Sequence, residues 1–117
     1  MKLILTLMVA AALAACGDSI DPNTQVTTKT ISWEKGGFDS VIIADFKITN
    51  NTAAPVKDIT VQCDGYSETK TRVDKNKRVI YKEIKPGKTI VVKDFNMGFV
   101  SSSVRSLACT TVKFESK

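Results

Sequence analysis

The chain offers few residues that could do chemistry, because it contains no histidine. A Ser-His-Asp or Cys-His arrangement therefore cannot be built, and the commonest side-chain ligand for metals is missing. No glycine-rich loop of the kind that cradles phosphates follows a predicted strand. Outside the cysteines, a serine with a lysine base is the remaining option, yet Ser101, Ser102 and Ser103 are typical of an ordinary loop. We predict no enzyme, no metal and no cofactor.

The first fifteen residues have the character of an export signal. Lys2 is followed by an apolar stretch, residues 3–15, that is interrupted only by Thr6. This stretch falls short of the roughly 20 residues that span a bilayer, but it is long enough for a secretory signal. The signal ends in the order Leu13, Ala14, Ala15, Cys16, after which the residues become polar.

That ending resembles the lipobox of bacterial lipoproteins. The resemblance implies a diacylglyceryl group on the Cys16 thiol, cleavage before Cys16 and acylation, with palmitate or a similar chain, of the new amino terminus. Gly17 in the next position favours the outer membrane, facing the periplasm. The alternatives are an ordinary secretory signal with an incidental cysteine, or an N-terminal core strand. The chain then divides into a cleaved signal (1–15), a lipidated tether (16–25) and one domain (26–117).

Once Cys16 is assigned to lipid, Cys63 and Cys109 remain. Beyond the inner membrane such a pair is normally oxidised, and two free buried thiols are the alternative. The bridge would close a loop of roughly 47 residues and contribute about 4 kcal/mol on the chain-entropy estimate. It could link two sheets or join neighbouring strands.

Positive charge is concentrated in one stretch of the chain. The precursor carries a net charge of +5, and loss of Lys2 with the signal leaves about +4. If the strands of this stretch are neighbours, its cations form a face or edge that attracts anionic headgroups, lipopolysaccharide phosphates or an acidic partner. The alternative is that lysines protect exposed edge strands from pairing. The stretch comprises Lys70, Arg72, Lys75, Lys77, Arg78, Lys82, Lys85, Lys88 and Lys93.

The domain alternates polar and apolar residues as strands do. Residues 41–49 are the clearest case, with Ile42, Ala44, Phe46 and Ile48 on one face. Turn signals occur at 50–55, Asp64-Gly65, 74–77 and Pro86-Gly87, and 96–103 is a predicted loop. We expect about seven strands in an antiparallel, immunoglobulin-like β-sandwich, with a small closed barrel as the alternative. The predicted strands are 26–33, 41–49, 58–64, 69–73, 79–84, 89–95 and 104–114, the last with a bulge between Cys109 and Val112.

A second resemblance covers residues 46–89. Phe46, Ile48, Asn50 and Asn51, then Val56, Ile59 and Val61 before Asp64, and finally the run from Ile84 to Lys88, are similar to FxLYD-type domains of bacterial envelope proteins. Gln62 and Cys63 stand where that family has Leu-Tyr. The resemblance implies a sandwich and no catalytic activity.

These patterns favour a non-enzymatic module that binds another envelope protein, as an accessory of a secretion, transfer or surface assembly. An inhibitor or exclusion lipoprotein, acting on phage or conjugation and less readily on lysozyme, is the alternative, and an enzyme or ligand carrier is a third class. Nucleic acid is not expected, since Tyr81 is the only aromatic residue in the basic stretch. Trp33 and Phe38 flank Gly36-Gly37 and predict a membrane-proximal tip that contacts a partner or lipid, unless Trp33 is core. The oligomeric state is left open.

Overall fold

The computed structural model describes residues 20–117. The predicted signal, Cys16 and residues 17–19 of the predicted tether lie outside this range. The elements in chain order are α1 (Pro22–Gln25), β1 (Val26–Gly36), β2 (Val41–Asn50), β3 (Val56–Tyr66), β4 (Arg72–Ile84), β5 (Thr89–Phe99) and β6 (Ser106–Ser116).

The six strands form two antiparallel three-stranded sheets, with orders β1-β2-β5 and β4-β3-β6. Neither sheet closes on itself, so the described residues form a β-sandwich and the closed-barrel alternative is excluded. The strand order β1-β2-β5 corresponds to strands A-B-E of immunoglobulin-like sandwiches, and the order β4-β3-β6 corresponds to strands C′-C-F. Strand β1 contacts β6 and strand β5 contacts β4 across the two sides of the sandwich.

The core confirms the alternation predicted for residues 41–49. Ile42, Ala44, Phe46 and Ile48 are buried on β2 and meet the alternating apolar face of β3. The ring of Phe95 on β5 tilts against Phe46, with centroids 6.3 Å apart. Burial of each large apolar side chain contributes about 1.5–3 kcal/mol, so this face holds the sheets together.

The structure has six strands where about seven were predicted, because residues 69–84 contain a single strand. The proposed turn at 74–77 lies inside strand β4, which pairs with β3 over Arg72–Ile84 with register shifts between Ile80 and Glu83 and between Arg72 and Asp74. Polar residues there do not break the strand, because Asp74 and Asn76 bond to neighbouring chain segments instead of forming a turn. Asn76 Nδ2 donates to the carbonyl oxygens of Met97 (3.0 Å) and Phe99 (2.7 Å).

Two further turn predictions are corrected and one bulge is confirmed. Asp64-Gly65 lies inside β3, where a Cβ on Gly65 would approach Val104 Cγ2 to 2.8 Å, so glycine is required by packing rather than by a turn. The predicted loop at 96–103 is shorter, because β5 continues to Phe99. The predicted bulge in the last strand is present as a register shift between Thr111 and Lys113.

Cys63 and Cys109 form a disulfide between neighbouring strands of one sheet. The two residues are direct partners in the β3–β6 register, and their Cα atoms are 4.0 Å apart. The bond spans a sequence separation of 46 residues. It therefore joins neighbouring strands and does not link the two sheets.

One end of the sandwich, here called the proximal end, carries α1 and the turns at 51–55 and 85–88. Asn50 is fully buried there and ties both turns together. Its Nδ2 donates to the carbonyls of Ala54 (2.8 Å) and Ile84 (2.9 Å), and its Oδ1 accepts from Thr52 N–H (2.9 Å). Its backbone N–H donates to the Lys88 carbonyl at 2.9 Å. Every polar group of this buried side chain thus has a partner.

Residues of α1 are attached to the sandwich at the same end. Asn23 Oδ1 accepts from the backbone N–H groups of Thr28 (3.0 Å) on β1 and Thr111 (2.9 Å) on β6. The hydroxyls of Thr28 and Thr111 bond to each other at 2.7 Å in the interior. The sequence analysis assigned residues up to 25 to the tether, whereas in the structure Asn23 joins the two sheets.

Candidate interaction surfaces

All nine cations of the predicted basic stretch are exposed, and they lie along one side of the sandwich. That side is formed by β4 and β5, each of which is an edge strand of its sheet. The cations do not converge on one point, because they extend from the turn at 67–71 to the turn at 85–88. Five of them, Arg72, Lys75, Lys77, Arg78 and Lys82, are on β4.

The alternation of β4 divides its cations into two groups. Lys75 and Lys77 are paired in register with Asp64 and Gln62, residues of the outer face of β3. Arg78 is instead opposite the buried Val61. Its guanidinium lies over β5, since a Cβ on Gly98 would be 3.2 Å from Arg78 Nη2. Arg78 therefore helps to close the side of the sandwich, and the lysines remain in solvent along an edge, as in strands protected from pairing.

The proximal end carries cations that the sequence analysis did not group together. Lys57, at the start of β3, and Lys117 lie near Glu83, as does Lys85 of the predicted stretch. Lys117 Nζ donates to Glu83 Oε1 at 2.8 Å. This hydrogen bond lowers the pKa of Glu83, with smaller contributions from the charges of Lys85 and Lys57. This grouping has no local sequence pattern, since it depends on which turns meet at one end.

The opposite end, here called the distal end, carries the turns at 37–40 and 67–71 and the loop at 100–105. The carbonyl of Ser40 accepts from Val100 N–H at 2.9 Å, which brings the β1–β2 turn next to the end of β5. Phe38, in that turn, is 105% exposed, and Phe99, which pairs with Val41, is 79% exposed. Two exposed phenyl groups thus lie on neighbouring segments of one end.

The tip predicted from Trp33 and Phe38 is at the wrong end of the molecule. It lies at the end opposite α1. The distance between the two ends is about 35 Å, because an eleven-residue strand has that length. Trp33 packs against the core, as its alternative interpretation predicted, and only Phe38 projects into solvent. The sequence analysis missed Phe99 because it assigned residues 96–103 to a loop.

Phe38 also adopts an unusual backbone conformation. Its φ is 62° and that of Asp39 is 63°, both in the left-handed region that favours glycine and asparagine. A bulky residue there costs roughly 1–2 kcal/mol, and an exposed ring regains nothing by packing. Gly37, beside it, has the same sign of φ at 54°. The turn therefore presents Phe38 to solvent without any structural benefit visible in the fold.

The serine loop at residues 101–103 bonds to two cations and within itself. Lys35 Nζ donates to the carbonyl oxygen of Ser102 at 3.0 Å, and Arg105 Nη1 donates to the same oxygen at 3.0 Å. The hydroxyls of Ser101 and Ser103 bond to each other at 2.9 Å. Lys35 of β1 and Arg105 therefore meet at the Ser102 carbonyl at the distal end.

Residues 20–117 form several surface depressions. One between Thr60, Val79 and Tyr81 is open to solvent, and two others are lined mainly by lysine, serine and threonine. A more enclosed one is lined by Ser32, Trp33, Glu34, Ile43, Asp45 and Asp94. Residues 20–117 contain no group of three or more cysteine, aspartate or glutamate side chains placed to hold a metal ion. Over the same range, no helix is long and apolar enough to cross a membrane.

No family model, no curated protein and no solved structure matches the chain.

Proposed function

We propose that the chain is a lipid-anchored lipoprotein of the bacterial cell envelope, and that its sandwich is a non-enzymatic module that binds another envelope protein at the distal end. The observation that carries the proposal is Phe38. It is fully exposed on a left-handed backbone, so it is unfavourable both in solvation and in conformation. Residues with strained backbone conformations are concentrated at functional sites of proteins.

Phe99 extends the same surface. Two neighbouring exposed aromatic side chains are the kind of anchor that protein interfaces bury, each contributing about 1.5–3 kcal/mol on full burial. Lys35 and Arg105, which both donate to the Ser102 carbonyl, add positive charge to the same end of the sandwich. This surface suits a partner with an apolar depression and acidic residues around it.

The proposed lipid anchor is compatible with a binding surface at the distal end, because α1, which follows Cys16 in the chain, lies at the proximal end. If Cys16 is acylated, the membrane adjoins the proximal end, and the distal end faces away from it. A binding surface at that end reaches a partner in the space beyond the membrane without competition from lipid.

Pull-down from native membranes tests the distal surface. The full-length tagged chain should recover one stoichiometric envelope protein, and Phe38→Asn with Phe99→Asn should reduce recovery at least about tenfold, as expected for loss of two interface anchors. Tyr81→Asn is the matched control, because Tyr81 is an exposed aromatic on β4. Recovery that survives the double substitution, or that Tyr81→Asn abolishes equally, would place the partner elsewhere.

The anchor has its own test. The wild-type protein should incorporate labelled palmitate and enter the detergent phase, and Cys16→Ser should lose the label. An unlabelled wild-type protein would rule out the lipoprotein assignment.

A further inference from the structure

The proximal end carries a group of lysines that the distal binding surface does not use. Lys85 and Lys88 in the β4–β5 turn and Lys57 at the start of β3 are exposed. None of the three has a carboxylate within ion-pair distance in residues 20–117, whereas Lys117 is paired with Glu83. We call these four lysines the proximal basic patch.

The chain enters the sandwich at the same end. The carbonyl of Gln25 in α1 accepts from Asn51 N–H at 2.8 Å, next to the turn that precedes β3. From Cys16 to Asp21 there are five residue steps, which span at most about 18 Å when extended. Ile20, between them, is an exposed apolar residue. A lipid on Cys16 therefore keeps the proximal end within reach of the surface of its own leaflet.

From these two facts we infer that the proximal basic patch rests on anionic phospholipid headgroups of the leaflet that holds the Cys16 lipid. The inference depends on the proposed lipid anchor. Cations attract an anionic surface over a Debye length of about 8 Å, and a link of at most about 18 Å allows the patch to come within that range. The contact holds the strands away from the bilayer and projects the distal end about 35 Å further out.

Lysine footprinting of the mature lipidated protein in vesicles tests the inference. Vesicles of phosphatidylcholine alone are compared with vesicles that also contain phosphatidylglycerol, and the reagent is an uncharged acetylating agent so that the vesicle charge does not repel it. Acetylation of Lys57, Lys85 and Lys88 should be at least about tenfold slower with phosphatidylglycerol, and high salt should remove the difference. Lys75 and Lys77, exposed in the middle of β4, should react equally in both vesicles.

A pair of variants identifies the contact. Lys85→Glu with Lys88→Glu should return Lys57 to the rate seen in phosphatidylcholine. Lys75→Glu with Lys77→Glu makes the same change of charge away from the proximal end, and it should leave Lys57 protected. If both variants release Lys57, the side of the sandwich makes the contact and the inference is wrong.

The failure of the anchor is distinguishable from the failure of the contact. A protein that floats with both kinds of vesicle but shows equal labelling in them is anchored without the contact, which overturns the inference alone. A wild-type protein that does not float with phosphatidylcholine vesicles lacks the anchor, which overturns the proposed function as well.

Discussion

The two ends of the sandwich are held together in different ways. At the proximal end, the buried amides of Asn50 and Asn23 join the turns, α1 and both sheets by hydrogen bonds. In the distal half, the Cys63–Cys109 disulfide joins β3 to β6, and Asn76 joins β4 to β5. Only the distal end also leaves two phenyl groups in solvent.

This difference is compatible with the separate roles proposed for the two ends. The proximal end satisfies the polar groups of its Asn50 and Asn23 side chains and presents charge, which suits a fixed attachment. At the distal end, Phe38 is exposed in a left-handed conformation in the β1–β2 turn, and the disulfide joins β3 to β6 in the other sheet. We therefore expect some substitutions to change the free energy of unfolding without changing partner recovery, and others to change partner recovery without changing the free energy of unfolding.

The largest expected effect is loss of the disulfide. Cys63→Ala with Cys109→Ala should lower the free energy of unfolding by about 4 kcal/mol, because a cross-link over 46 residues restricts the unfolded chain. Urea unfolding measures the change, and reduced wild-type protein is the control. Because the cross-link acts on the unfolded chain, amides that exchange by global unfolding should accelerate in both halves of the sandwich. A loss of less than about 1 kcal/mol in the double variant would contradict this expectation.

The next effect concerns the proximal end. Asn50→Ala removes the donors to the buried carbonyls of Ala54 and Ile84 and the acceptor for Thr52, which should cost about 3 kcal/mol. Asn51→Ala is the control, since its side chain is exposed and its loss should cost less than about 1 kcal/mol. Equal losses in the two variants would show that burial of Asn50 is not what matters.

The sequence predicted the parts of this fold that depend on local alternation. Residues 41–49 read as a strand because one face is apolar, and the structure confirms that face as core. The turn at Pro86-Gly87 was also predicted, and Gly87 has a φ of 73° there. Both signals come from residues within a few positions of each other.

The features that could not be predicted depend on contacts between distant segments. Asn76 looked like a turn residue, yet its amide bonds to β5, twenty-one and twenty-three positions away. Phe38 was placed at the wrong end because strand direction, rather than sequence distance from Cys16, decides where a hairpin points. Lys57 and Lys117 join Lys85 only because three separate segments meet beside Glu83.

A moderate effect is expected from the link between β4 and β5 at the distal end. Asn76→Ala removes the hydrogen bonds to the Met97 and Phe99 carbonyls from a half-buried position, which should cost about 1–2 kcal/mol. Lys77→Ala, one position along and exposed, should change stability by less than about 0.5 kcal/mol. Thermal unfolding of both variants measures the difference. If Asn76→Ala costs as little as Lys77→Ala, the disulfide alone holds the distal half.

The smallest effect on stability is expected at Phe38, the residue proposed to anchor the partner. Phe38→Asn places a residue that tolerates left-handed backbone at a φ of 62°, and it removes a side chain that packs on nothing. The free energy of unfolding should stay the same or rise by up to about 1 kcal/mol, while partner recovery falls. Phe99→Asn is the comparison, because Phe99 is exposed without a positive φ, so no gain in stability is expected. A loss of more than about 1 kcal/mol for Phe38→Asn would mean that the ring supports the fold, and the case for a binding surface at the distal end would then lose its main observation.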